Sequence, residues 1–158
     1  MKKIIYSSSI FICLFVYSNC INAQAISSNV RLSPTLNHIA LYVTNLQTST
    51  AFYQQIVQLD TIPEPFHDGK HTWFNIGPKS HLHLIEGAVA ATAHDKHSHL
   101  CFSVTSLKNY ISMLDKNNID YENWAGDKKG VTLRVDAVQQ IYFKDPDGYW
   151  IEINDATK

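Results

Sequence analysis

Hydrophobic and polar positions alternate along residues 38–43. Ile39, Leu41 and Val43 fall on one side, His38, Ala40 and Tyr42 on the other. Period two predicts a strand with one face buried. The pattern then lengthens. Leu46, Phe52, Tyr53 and Ile56 make a stripe at helical spacing, and Asn45 or Thr44 can cap its start. Short strand candidates follow at 59–63, 71–76 and 80–86, punctuated by Gly69 and by Gly77-Pro78. From residue 98 the order restarts with a strand. A helix follows near Ser106, with Leu107, Tyr110, Ile111 and Leu114 on one face. Strands are then predicted at 121–124, 131–135, 139–144 and 149–154, the last pair joined by an Asp-Pro-Asp-Gly turn at 145–148.

Laid over one another, residues 38–46 (HIALYVTNL) and 99–107 (HLCFSVTSL) match His with His, Val with Val, Thr with Thr and Leu with Leu. The order of elements repeats with the residues, so the chain is read as two modules, each strand–helix–three strands. The modules occupy 35–90 and 96–155 of a single domain at 35–155, preceded by a polar linker at 26–34 that contains Pro34.

The N-terminal residues have a different character. Two lysines follow Met1, residues 10–16 are a short apolar run, and Ala23 and Ala25 form an A-x-A pattern. Residues 1–25 read as a secretory signal peptide cleaved near Ala23 or Ala25, with acylation at Cys20 as the alternative. The apolar run is too short to span a bilayer, so no stable membrane insertion is expected after processing, and the chain is expected to be periplasmic or secreted. Export then leaves Cys101 as the one mature cysteine, which excludes an internal disulfide and a thiolate-rich zinc site. A formal net charge of −1 over 158 residues gives no electrostatic footprint for nucleic acid.

The helix of each module must cover the apolar face of its sheet, because that face has to be buried. His38 then points to the opposite face, and so does His99, whose partners Leu100, Phe102 and Val104 lie under the second helix. Leu82 and Leu84 place His83 on the open face; Ile151 and Ile153 do the same for Glu152. Four strands each aim one nitrogen or oxygen donor to the same side. Three imidazoles and a carboxylate suit a divalent transition metal such as Zn, Ni, Co, Mn or Fe. Any one of these histidines alone is more simply a hydrogen-bonded sheet residue; it is the repetition by module that points to a metal. Trp150 and Tyr42 share the open-face phase, while Trp73 and Trp124 are expected in the core. Glu86 lies on the Leu84 side and is not a ligand. His81 shares the face of His83, and His67, His71, His94 and His97 are expected in connectors or at strand ends. Arg134 is expected on the surface.

The stretches NHIALYVTNLQTSTAFY, LHLIE, HLCFSV and IYFKDPDGYWIEI resemble the vicinal oxygen chelate superfamily, which includes glyoxalase I, extradiol dioxygenases and the fosfomycin and bleomycin resistance proteins. The resemblance covers about residues 35–155. It implies an α+β fold of paired βαβββ modules forming a curled mixed sheet around a metal cleft, with ligands at His38, His83, His99 and Glu152. It further implies a metal-dependent lyase or isomerase of glyoxalase I type, with Glu152 as ligand and base, acting on a small metal-chelating oxygenated substrate. An extradiol-type Fe(II) dioxygenase using His38, His99 and Glu152, or a resistance protein that binds or modifies an antibiotic, is the alternative. Bacterial glyoxalase I enzymes commonly carry glutamate where this chain has His83. Pairing of family domains makes a homodimer possible.

Overall fold

A computed structural model describes residues 32–156. The expected signal peptide at 1–25, with Cys20, Ala23 and Ala25, and linker residues 26–31 lie outside the described residues. A compact unit begins at Thr35. Its first module runs β1 (His38–Val43), α1 (Leu46–Gln55), β2 (Thr61–Ile62), β3 (His71–Gly77) and β4 (Ser80–Glu86). The second runs β5 (His99–Ser103), α2 (Leu107–Lys116), β6 (Thr132–Leu133), β7 (Gln139–Lys144) and β8 (Trp150–Asn154). This is the α+β arrangement of paired βαβββ modules. Among the described residues no helix is long and apolar enough to cross a membrane.

Each module makes its own four-stranded sheet, ordered β1-β4-β3-β2 and β5-β8-β7-β6. The first strand of each pairs with the last in parallel, and the remaining pairs are antiparallel. β1 and β5 are therefore edge strands, and the sheets are not closed on one another. Both helices start on a side-chain cap: Asn45 accepts from the Thr48 amide at 2.8 Å, and Ser106 from the Asn109 amide at 3.3 Å. The strand expected at 121–124 is not one. Glu122 alone bridges to Lys128 and Tyr142, because residues 117–130 are folded into turns.

The two helix-covered faces share one core. Val43, Tyr53, Phe74, Leu82 and Leu84 of the first module join Leu114, Ile141, Phe143, Ile151 and Ile153 of the second. Its polar centre is the Asp-Pro-Asp-Gly turn. Asp147 accepts from the amide (2.7 Å) and hydroxyl (2.8 Å) of Thr44 on one oxygen and from Ser49 (2.6 Å) on the other. Asp145 accepts from the Tyr53 hydroxyl (2.8 Å) and from the amides of Asp147 (2.9 Å) and Tyr149 (2.8 Å). Burial pushes the Asp145 carboxyl upward, and these donors oppose that push. Gly148 closes the turn at φ +91°, where a Cβ would lie 2.2 Å from the Thr92 carbonyl oxygen.

The junction generates a stability prediction. Ser49→Ala strips the donor from a buried carboxylate oxygen and is expected to cost about 1–3 kcal/mol. Asp136→Ala, which breaks an exposed pair with Arg134, is expected to leave stability nearly unchanged. Urea unfolding of both variants compares them directly; equal losses would show that the buried donor is worth no more than the surface pair.

Candidate metal centre

Strand register brings the four expected residues together as two pairs. On the open face of the first sheet, His38 is opposite His81, and Ala40, His83 and Trp73 form the next row. The rings of His38 and His83 stack at 4.3 Å, and Trp73 lies against the other side of His83 at 3.9 Å. On the open face of the second sheet, His99, Trp150 and Lys144 form one row, and Cys101, Glu152 and Tyr142 the next. His99 Nε2 is 3.2 Å from Glu152 Oε2. Among the described residues no three His, Cys, Asp or Glu side chains converge as a metal-binding group. The chain thus carries two half-sets, one on each open face.

Three observations fit these half-sets to a divalent cation. His99 Nδ1 lies 2.7 Å from the Lys96 carbonyl oxygen, and His38 Nδ1 lies 2.8 Å from the Asn37 side-chain oxygen. An oxygen of either kind can only accept, so Nδ1 donates and the neutral ring keeps its lone pair on Nε2. At His99 that lone pair faces a carboxylate oxygen, an arrangement that a cation between them, or a proton on Nε2, makes favourable. His83 Nε2, finally, is buried without a hydrogen-bond partner, which is costly for a polar atom unless it has another use. Burial first, and then the neighbouring His38, His81 and His71, push the His83 imidazolium down from 6.5 to about 4. His83 is therefore a neutral imidazole at physiological pH, the form that binds metals.

Glu152 is 5% exposed yet ionised. Burial pushes its carboxyl up, but donors outweigh that and leave it below the usual range. The Tyr142 hydroxyl donates to Oε2 at 2.6 Å. Asn154 Nδ2 and the Cys101 thiol donate to Oε1 at 2.9 and 3.2 Å. Gln140 is hydrogen-bonded to the Tyr142 hydroxyl in turn. The Cys101 residue is exposed while its sulfur is engaged from two sides, and burial together with Glu152 pushes the thiol up to about 12. It stays protonated and donates. Beside this cage a cleft of about 410 Å³ opens, lined by Lys96, His97, Trp124, Lys144 and Trp150 among others. The Lys96 and Lys144 ammonium groups lie 4.9 and 4.6 Å from the Trp150 ring centre. Lys96 also holds Glu122.

Several side chains stand elsewhere than the pattern implies. Trp73 was expected in the core; Phe74 takes that place, fully buried, and the alternation puts Trp73 on the open face over His83. Trp124, also expected in the core, is 42% exposed and meets Tyr142 and His97 by its edge. Tyr42 and Trp150 lie on the open faces as expected. Glu86 accepts from the Leu46 amide at 3.0 Å and so helps fix the start of α1. Tyr142, Asn154 and Cys101 were not singled out as site residues. The signal for Tyr142 was available: Gln140, Tyr142 and Lys144 alternate with Ile141 and Phe143.

A family model described as the Glyoxalase/Bleomycin resistance protein/Dioxygenase superfamily matches residues 35–153. Metallothiol transferase FosB of Staphylococcus epidermidis is 26% identical over 129 residues, spanning 78% of this chain and 82% of its own. Glyoxylase I 4 of Arabidopsis thaliana is 27% identical over 125 residues, spanning 75% and 69%. Among solved structures, the genomically encoded fosfomycin resistance protein FosX of Listeria monocytogenes superposes with a TM-score of 0.63 at 23% identity. That match covers 80% of this chain and 96% of FosX.

The depressed His83 value makes a pH prediction. Its native pKa lies below the unfolded one, so the unfolded chain takes up the proton first. Stability from the neutral ring is complete above 6.5 and is lost as pH falls from 6.5 toward about 4. Metal-free protein should therefore lose stability across that window, and His83→Gln should flatten the loss. Histidine NMR titration is the direct check; a His83 midpoint close to 6.5 would refute the prediction.

Proposed function

The chain belongs to the glyoxalase/bleomycin resistance/dioxygenase superfamily, and on that premise we propose that it is a divalent-metal-dependent enzyme of glyoxalase type. Its substrate is a small oxygenated molecule that chelates the metal, and its reaction is a lyase or isomerase step. His38, His83, His99 and Glu152 hold the ion. The observation that carries the proposal is the pairing of His99 Nε2 with ionised Glu152, the ring fixed by a carbonyl on its far nitrogen.

When bound, the metal supplies Lewis acidity toward the paired oxygens of the substrate. The chain's own residues do the rest. The Nδ1 bonds of His38 and His99 keep both Nε2 lone pairs available. Tyr142, whose hydroxyl burial pushes well up, remains a donor and orients Glu152 Oε2. In the lyase or isomerase reading, Glu152, loosened from the ion as substrate binds, would take a proton on Oε2 from the substrate carbon next to a carbonyl and return it to the neighbouring carbon. Lys144 and Trp150 at the cleft give an anionic or planar portion of the substrate a cation and a ring to lie against.

A second reading is favoured by the donors on Glu152. A carboxylate held this firmly serves better as a ligand than as a mobile base. That suits a resistance enzyme in which an external nucleophile opens the substrate, the class to which the name metallothiol transferase points for the relative FosB. An iron-dependent ring-cleaving dioxygenase fits less well, because a ligating His83 occupies a position that chemistry needs open.

The half-sets lie on different open faces beside unpaired edge strands β1 and β5. We propose that a second copy joins them in a homodimer, each site taking His38 and His83 from one copy and His99 and Glu152 from the other. The N-terminal signal reading carries with it export to the periplasm or medium, which N-terminal sequencing of the mature protein checks.

Purified protein should bind about one divalent ion per chain, with affinity lowered at least about 10-fold by His99→Ala. Turnover of a hemithioacetal with Ni, Co or Zn supports the first reading; thiol or water addition to an epoxide phosphonate supports the second. Mixing a His38→Ala/His83→Ala chain with a His99→Ala/Glu152→Ala chain should restore metal binding that neither has alone. No restoration in a mixed dimer would rule out the shared site. Absence of stoichiometric metal, with His99→Ala indistinguishable from wild type, would sink the enzyme proposal.

A further inference from the structure

Glu152 presents two oxygens in unequal surroundings. Oε1 receives Asn154 Nδ2 at 2.9 Å and the Cys101 thiol at 3.2 Å, while Oε2 receives Tyr142 at 2.6 Å and faces His99 Nε2 at 3.2 Å. A carboxylate oxygen has two in-plane lone pairs. Both on Oε1 are taken. On Oε2, one is taken and the other faces His99 Nε2.

The orientation of Asn154 follows from its own bonds. Its Oδ1 accepts from the Ser103 hydroxyl at 2.8 Å and the Ala156 amide at 3.2 Å, so Nδ2 must face Glu152 and Cys101. It also donates to the Cys101 sulfur at 3.2 Å. Ser103, Asn154, Cys101 and Oε1 thus form a closed set, in which every donor has an acceptor. The device belongs to the second module alone: the equivalent of Cys101 in the first module is Ala40.

Resting on the reading of Glu152 as a metal ligand, we propose that Cys101 and Asn154 are positioning residues that tie off Oε1, so that Glu152 gives a cation Oε2 alone. A single-oxygen carboxylate leaves one more coordination position for a chelating substrate than a two-oxygen one. Cys101 is then neither a ligand nor a nucleophile; it is a hydrogen-bond donor to the carboxylate.

Cobalt(II) titration of the full chain tests this, following the visible d–d bands together with affinity by chelator competition. Cys101→Ala and Asn154→Ala should weaken cobalt binding about 10-fold and reduce d–d absorptivity, as the freed Oε1 joins the ion and coordination number rises. Cys101→Ser keeps a donor and should stay near wild type. Weaker binding with unchanged bands would be structural loosening and would overturn the proposal. So would unchanged affinity and spectrum in both variants, or a thiolate-to-cobalt charge-transfer band in wild type, which would make Cys101 a ligand. These outcomes leave the metal reading intact provided His99→Ala abolishes the bands. Wild type that takes no cobalt, or a His99→Ala variant that binds as wild type does, overturns both. Cys101 is exposed, so its two variants decide the matter if Asn154→Ala fails to fold.

Discussion

The buried bond between a hairpin turn and the helix of the other module is the constraint on which the structure turns. Asp147 accepts from Thr44 and Ser49, and Asp145 accepts from Tyr53, all across the two modules. Buried carboxylates are expensive unless their lone pairs are filled, and removing a donor costs more than the bond contributes on balance. The junction therefore tolerates one seating of α1 on the turn. Glu152 lies five residues after Asp147, so this seating also fixes the start and phase of β8. A shift of one residue would send Glu152 into the core and Ile151 to the open face.

With the helix faces spent on one shared core, the open faces are left for chemistry, and the two differ. The first is built from rings: His38, His83 and Trp73 stack in a column, and the environment of His83 disfavours a proton. The second is a hydrogen-bonded lattice around an anion, with Tyr142, Asn154 and Cys101 all donating to Glu152. In the proposed site, imidazole nitrogens on one face and the imidazole and carboxylate on the other would be complementary parts of one ligand set for a divalent ion. Neither half alone carries enough donors.

Much of this was legible in the sequence because alternation with period two determines facing. The positions of His38, His83, His99 and Glu152 opposite the apolar residues, the starts of the two helices and the final turn all follow from local pattern. Trp73 misled because ring size suggests burial, whereas strand phase decides it; Phe74 is the residue that packs inward. The strand expected at 121–124 failed because the segment is folded into turns, and only Glu122 pairs with β7, at Tyr142 beyond the stretch that β6 covers. The grip on Glu152 was not legible at all. It depends on the cross-strand register of Cys101, Asn154 and Tyr142, residues up to 53 positions apart, which no local window contains. The separation of the half-sets was hidden too, since facing says which side a residue takes and not how far one sheet lies from the next.

The fixing of the two equivalent histidines separates inherited pattern from chemical need. His38 and His99 correspond in the repeat, yet the groups that hold their Nδ1 atoms do not. One is the side chain of the preceding residue, Asn37; the other is a main-chain carbonyl three residues back, at Lys96. A repeat that merely preserved packing would keep the same partner or drop the bond once the loops diverged. Here the loops differ and the outcome is the same, with Nδ1 donating and Nε2 left out of that bond. A hydrogen-bonded sheet histidine has no reason to prefer either nitrogen. A ligand does, because only the free lone pair can bind, and the acceptor behind the ring raises its basicity. The common result from unlike partners therefore supports the proposed metal coordination more strongly than the histidines themselves.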